Sequence, residues 1–258
     1  HSRSAPSENT YCFLSRISFN YTFLHKILSL LIYYGFALTT RRNLSFLLKK
    51  NSRQYKIDTS KRMELTMTLQ KVLSRVRQAV DDYHMIEEGD RIAVGISGGK
   101  DSLTLLLALY ELSKFYPKHF TLIAVTVDLG FLNLNLDEIR TLCADRNIPY
   151  TIVDTSIAQI VFEDRKEDNP CSLCAKMRKG ALNDAIKAAG CNKIAYAHHE
   201  DDVVETMMLS LFYEGRLHTF SPVTHLDKTD LTVIRTLIYM RESEVIGFVN
   251  KYQIPVVK

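Results

Sequence analysis

Apolar positions set the first expectations. Leu69, Val72, Leu73, Val76 and Val80 recur at spacings of three and four, which places them on one face of a helix. From residue 91 onward, short β-branched runs alternate with longer helical patterns. Residues 91–96, 121–127, 150–153, 193–197 and 231–235 read as strands. Residues 102–116, 136–147, 173–189, 200–213 and 243–251 read as helices, the third ended by Gly190 and the last capped by Ser243. The polar stretch 163–170 reads as a loop. Within 200–213, Val203, Met207 and Leu211, with Val204, Met208 and Phe212, predict a face buried in the core. Strands alternating with helices predict an α/β fold, a doubly wound parallel sheet covered on both faces. Ligand loops are then expected at the carboxyl ends of the strands.

Composition changes this picture at the amino end. Residues 1–62 hold eleven Lys/Arg against two acids, Glu8 and Asp58, and ten of the 25 aromatics. They carry a net +9, and residues 63–258 a net −5. The overall +4 is therefore no argument for nucleic-acid binding. RNA contact would rest on a local group such as Lys176, Arg178, Lys179 and Lys187. The first methionine is Met63, directly before the first helical pattern. The expectation is that translation starts at or near Met63, so that 1–62 form an atypical extension, non-native or disordered, ahead of a domain over 63–258. The longest apolar stretch, 27–38, has 12 residues, short of the roughly 20 that span a bilayer, so no membrane association is expected. Five cysteines, an odd number in a chain this large, argue against a secreted disulfide scaffold and for reduced thiols in the cytoplasm.

Three motifs carry candidate chemistry. Ser97, Gly98, Gly99, Lys100, Asp101 and Ser102 lie between a predicted strand and helix. The glycines permit a tight turn, and the free amides of the helix start, with two hydroxyls, make an anion site. Lys100 can add charge, and Asp101 can hold Mg²⁺ or cap the helix. Counted from Gly95, a Walker A loop needs glycine where Lys100 stands. An ordinary strand–helix turn is the plainer account. Cys171 and Cys174 sit at a predicted helix N-terminus, where the dipole favours negative charge. Metal ligation, sulfur chemistry, half a zinc site, a redox pair and a chance pair all remain open for them. The third motif runs from Ala197 to Thr206 and gathers His198, Asp201 and Asp202 at another helix start. A capped helix accounts for its acids, though less well for the paired histidines His198 and His199.

The loop Ser97–Ser102 after a buried strand resembles the signature of the PP-loop ATP pyrophosphatases, of the adenine nucleotide alpha hydrolase-like fold. With 169–182 and 198–219, the order and spacing of motifs from Met63 onward resemble the tRNA 2-thiocytidine synthetase group of that superfamily. The resemblance implies that ATP is split between its α and β phosphates with Mg²⁺, that AMP is left on a tRNA base, and that sulfur then replaces the base oxygen. It implies ATP binding by Ser97, Gly98, Gly99, Lys100, Asp101, Ser102, Asp128 and His198. Asp101, Arg178 and Asp202 fall at catalytic or orienting positions, and Cys171 and Cys174 hold a [4Fe–4S] cluster with a third cysteine. The implied partners are tRNA, a sulfur donor (a persulfide carrier or sulfide) and a second copy in a homodimer. Three positions depart from the group: Ala197 replaces a glycine, Thr236 replaces a proline, and no cysteine follows Cys191. The third cluster ligand is thus absent from this chain and expected shortly after Lys258, as in a truncated domain. Two rivals share the fold. One is lysidine-type ATP-dependent tRNA ligation, which needs no cysteine pair. The other is a fragment that binds ATP or tRNA without turnover.

Overall fold

A computed structural model describes residues 67–130, 135–164 and 170–257. The expected extension over 1–62, its apolar stretch and most of the polar loop at 163–170 lie outside the described residues. Helix α1 (Leu69–Asp82) starts at Thr68, whose hydroxyl accepts from the Lys71 amide at 3.3 Å. It buries Val72, Val76, Ala79 and Val80, largely the face its periodicity predicts.

Among the described residues, six strands form one sheet. They are β1 (Asp90–Gly95), β2 (Phe120–Asp128), β3 (Tyr150–Asp154), β4 (Lys193–Ala195), β5 (Val223–Leu226) and β6 (Leu231–Ile234). Their order is β3-β2-β1-β4-β6-β5. All neighbours pair in parallel except β5, which runs antiparallel to β6. The edge strand β5 departs from the expected alternation. It is four residues long, Val-Thr-His-Leu, and its half-buried edge position leaves no apolar run to mark it in sequence.

Alternate residues of β1 face opposite sides. Ile92 and Val94 join the larger apolar cluster, formed with α1, α2 (Lys100–Ser113), α3 (Asp137–Ala144) and α6 (Glu242–Tyr252). Ala93 joins Val125, Ile194, Leu231 and Val233 under Ile186 of α4 (Pro170–Ala188). The sheet is therefore covered on both faces, as an α/β fold requires. Helix α2 is apolar nearly all round, and Leu103, Leu105, Leu106, Leu109 and Leu112 are all buried.

Three local expectations change. Helix α4 begins at Pro170, whose fixed φ suits a first helical position. Ser243 lies inside α6, and the cap is Arg241. The Glu244 carboxylate accepts from the Arg241 amide at 2.9 Å, and Asp201 accepts from the Glu242 amide at 2.7 Å. These two carboxylates satisfy the amides of the cap residue and the first helical residue, the first of them as the N3 acid of a capping box does. The helix expected over 200–213 is α5 (Glu200–Leu209) followed by a π-helical turn, Ser210–Glu214. No residue of α5 is buried, and Leu211 and Phe212 are 39% and 50% exposed. The predicted buried stripe is thus a correction. Helical spacing shows that an apolar stripe exists but not what covers it, and of this stripe only Val203 packs on the core. Among the described residues, no helix is long and apolar enough to cross a membrane.

Candidate nucleotide site

Strand β1 has β2 on one side and β4 on the other, so the chain reverses its direction of build across the sheet there. A crevice opens at the carboxyl ends of such strands, and here it is a cleft of about 450 Å³. Its floor is the turn from β1 into α2. Gly98 has φ of +81°, and a Cβ there would lie 3.0 Å from the Val257 side chain. The Val257 amide donates to Gly98 O at 3.0 Å. Both conformation and crowding therefore demand glycine. The Ser97 amide donates to Ser102 Oγ at 3.3 Å, the Gly99 amide to Ser97 Oγ at 3.3 Å, and Ser102 Oγ to Gly99 O at 3.0 Å. These bonds hold the turn in shape. The α2 cap, Gly99, supplies no side-chain hydrogen bond, so the first-turn amides, with the helix dipole behind them, are left open to an anion.

Lys100 does not line the cleft. Its Nζ lies 3.0 Å from Asp101 Oδ2 and 3.1 Å from Glu242 Oε1. Partial burial works against its charge, but the two carboxylates outweigh it and hold the ammonium above the ordinary lysine range. Asp101 Oδ1 is buried without a hydrogen bond, and His199 Nε2 stands 3.8 Å away. An orphaned carboxylate oxygen beside an anion-binding turn fits a Mg²⁺ ligand, since that ion takes oxygen donors from one or two carboxylates plus phosphates.

The walls come from distant parts of the chain. Asp128 ends β2, and its Oδ1 accepts from the Gly130 amide at 2.8 Å. Arg178 and Leu182 approach from α4, and Ala197 and His198 from the end of β4. Asp202 lines the cleft from α5, while its Oδ2 accepts from the His199 amide at 2.8 Å. Asp202 therefore caps its helix as well as facing the cleft, and Asp201 is turned to the start of α6. Burial pushes the His198 imidazole below the usual histidine range; Asp202 opposes this, while Arg235 and His199 add to it. Glu205, one turn behind, is pushed above the usual carboxylate range by burial and then by Asp202.

Of the sequence-predicted residues, Ser97, Asp101, Ser102, Asp128, Arg178, His198 and Asp202 share the cleft, and Gly98 and Gly99 shape its floor. Cys171 and Cys174 do not line it. They sit one turn apart at the start of α4, exposed and half-buried. Among the described residues, no group of three His, Cys, Asp or Glu is placed to hold a metal. Two thiolates alone do not fit an iron–sulfur cluster, which takes about four ligands. Cys143 and Cys191 are buried in separate apolar clusters. Three residues outside the motifs, Tyr196, Phe220 and Arg235, surround His198 with their rings and guanidinium. Arg235 follows β6, and a basic residue at the carboxyl end of a parallel strand is the signal that would have found it.

Residues 67–258 match the PP-loop domain family. Among curated relatives, the tRNA-cytidine(32) 2-sulfurtransferase of Pelobacter propionicus is 43% identical over 183 residues, 70% of this chain and 68% of the relative. The tRNA-cytidine(32) 2-sulfurtransferase of Geobacter sulfurreducens is 39% identical over 188 residues, 72% of this chain and 73% of the relative. Among solved structures, the U34-tRNA thiolase NcsA from Methanococcus maripaludis with its [4Fe-4S] cluster superposes with a TM-score of 0.62 at 25% identity. That likeness covers 73% of this chain and 64% of the thiolase. By its nucleotide-type cleft and by both sets of relatives, the chain belongs to the PP-loop family, in the group of the tRNA-cytidine(32) 2-sulfurtransferases.

Proposed function

We propose that this chain thiolates a tRNA cytidine at the expense of ATP, at position 32 as in its relatives. The base O2 attacks the α-phosphorus, the α–β phosphoanhydride bond breaks, and pyrophosphate leaves. A sulfur nucleophile then attacks C2 and expels AMP with the former base oxygen. The observation that supports this best is the convergence of Ser97, Asp101 and Ser102 with Asp128, Arg178, His198 and Asp202 on one cleft.

The first-turn amides of α2 and the Ser97 and Ser102 hydroxyls take the pyrophosphate, donating to oxygens that gain charge as the bond breaks. Gly98 and Gly99 let the backbone approach it, and Lys100 keeps the Asp101 carboxylate in place. Asp101 holds Mg²⁺, which when bound supplies Lewis-acid neutralisation of the phosphates. Asp128 and His198 take the nucleoside side of ATP. Arg178 from α4 and Asp202 from α5 orient the phosphoryl group and the base. Cys171 and Cys174 would supply two of the ligands of a [4Fe–4S] cluster such as the archaeal thiolase carries; among the described residues no third ligand is grouped with them.

The sulfur comes from sulfide, or from a persulfide carrier whose outer sulfur a thiol reductant releases at the sulfide level, and the protein works in the cytoplasm, which the free thiols of all four described cysteines support. The exposed Phe212 and Leu217 support a homodimer. The enzyme domain spans 63–258, with 1–62 a dispensable extension, a reading supported by the extent of the family match.

The test is pyrophosphate release with ATP and a tRNA transcript. Asp101→Ala is expected to lower release by at least roughly a hundredfold with an unchanged melting profile. Release at the unaltered rate overturns the loop assignment.

A further inference from the structure

His198 follows the carboxyl end of β4 and lines the cleft. Its Nδ1 lies 3.3 Å from Arg235 Nε, which donates to it. A guanidinium N–H only donates, so Nδ1 must present a lone pair. The ring proton then sits on Nε2, on the side away from Arg235. An imidazolium would set a second N–H against the guanidinium and lose this bond.

Arg235 is itself held firmly. Its Nη1 donates to Ser221 O and, at 3.2 Å, to Thr224 Oγ1, and its guanidinium lies 4.9 Å from the centre of the Phe220 ring. The Arg235 amide donates to Pro222 O at 3.1 Å. Phe220 also packs on the imidazole at 4.8 Å, and Tyr196 meets it edge-on at 5.9 Å. Most of these groups belong to the hairpin of β5 and β6 or the segment leading into it, the part of the sheet that departs from βα alternation. The titratable and charged groups around the ring are Tyr196 just past β4, Asp202 from α5 with His199 at its cap, and Arg235 just past β6. Asp202 favours the imidazolium, whereas burial, Arg235 and His199 disfavour it.

We propose that Arg235 is a positioning residue that acts through His198: it fixes the ring's orientation and keeps it neutral with the proton on Nε2, so that the cleft receives a hydrogen-bond donor for an acceptor atom of the bound nucleotide. This rests on the reading of the cleft as the ATP site. It also gives the antiparallel edge of the sheet a function, as the mount for Arg235.

Two measurements test it. In the ring-¹⁵N-labelled protein, long-range nitrogen–proton correlations are expected to show His198 Nδ1 as an acceptor and Nε2 as protonated, with the neutral ring persisting below the pH at which ordinary histidines titrate. In Arg235→Met the same ring is expected to titrate at higher pH. By calorimetry, Arg235→Met should weaken ATP binding roughly tenfold. His198→Gln keeps an amide donor near the Nε2 position without needing Arg235. In that background Arg235→Met should change affinity by less than about twofold, the non-additivity expected of residues acting as a unit. A protonated Nδ1 in the unaltered protein, or equal losses in both backgrounds, overturns the proposal, since a merely structural arginine would weaken both alike. Unaltered ATP affinity in His198→Ala would remove His198 from the nucleotide site and overturn the underlying reading, an outcome separate from the nitrogen spectra.

Discussion

The four described cysteines divide by surroundings. Cys171 is exposed and Cys174 half-buried at the start of α4, while Cys143 and Cys191 are buried. Burial pushes the Cys143 thiol up to about 11, with Arg146 opposing, and also raises that of Cys191, with Arg91 opposing. At pH 8, Ellman's reagent is expected to label Cys171 and Cys174 within minutes and to reach Cys143 and Cys191 only on unfolding. Peptide mapping by mass spectrometry checks this. The sign of the pH effect follows from linkage. A thiol whose folded pKa is raised stabilises the fold fully below its unfolded value, and that contribution fades as pH climbs toward about 11. Urea midpoints should therefore fall as pH rises from about 9 to about 11.

Helix α5 shows how one side chain serves both an element and the site. The Asp202 carboxylate accepts the His199 amide at 2.8 Å and also faces the cleft. Asn keeps an acceptor oxygen but loses the charge, whereas Ala loses both. Asp202→Ala is expected to cost about 1 kcal/mol of stability through the lost cap, and Asp202→Asn only a few tenths of that. Both should lower turnover severalfold or more. Chemical denaturation separates the two effects, and a stability loss in Asn equal to that in Ala would mean the cap is not the carboxylate's structural role. The same helix marks a limit of periodicity. Its apolar stripe has the spacing of a core face, yet Leu211 and Phe212 emerge exposed beyond its end.

At the level of the whole molecule, a buried ion pair and the candidate cleft sit at opposite ends of the sheet. Asp90 opens β1, and its Oδ2 lies 2.7 Å from Lys193 Nζ at the start of β4. Both side chains are nearly buried, at 4% and 11% exposure. Asp90 also accepts from Asn192 Nδ2 at 2.7 Å and the Glu87 amide at 2.6 Å, while Lys193 donates to Met85 O at 3.0 Å. Removing one member leaves the other charge buried, at a cost of about 3–5 kcal/mol. Asp90→Ala is thus expected to lower the unfolding free energy by that amount while ATP affinity stays unchanged in the folded protein. A chain begun at Met63 should unfold cooperatively and bind ATP as the full chain does, measured by scanning calorimetry and titration. Loss of cooperativity would show that 1–62 contribute to the domain.

Much of the fold is legible in the sequence. Alternating β-branched runs and helical periods define the parallel sheet, because burial on both faces leaves that imprint on each segment. The tight turn at Ser97–Ser102 is legible too, because its glycines and short hydroxyl side chains are what such a backbone turn needs. Local chemistry of this kind is written in contiguous residues. The partners of those residues were not legible. Arg235 reaches His198 across 37 positions of sequence, and Glu242 reaches Lys100 from the last helix. The β5 edge strand, the capping role of Asp202 and the exposure beyond α5 likewise depend on which surfaces meet. Spacing along a chain fixes which side chains share a face, but only packing decides what that face touches.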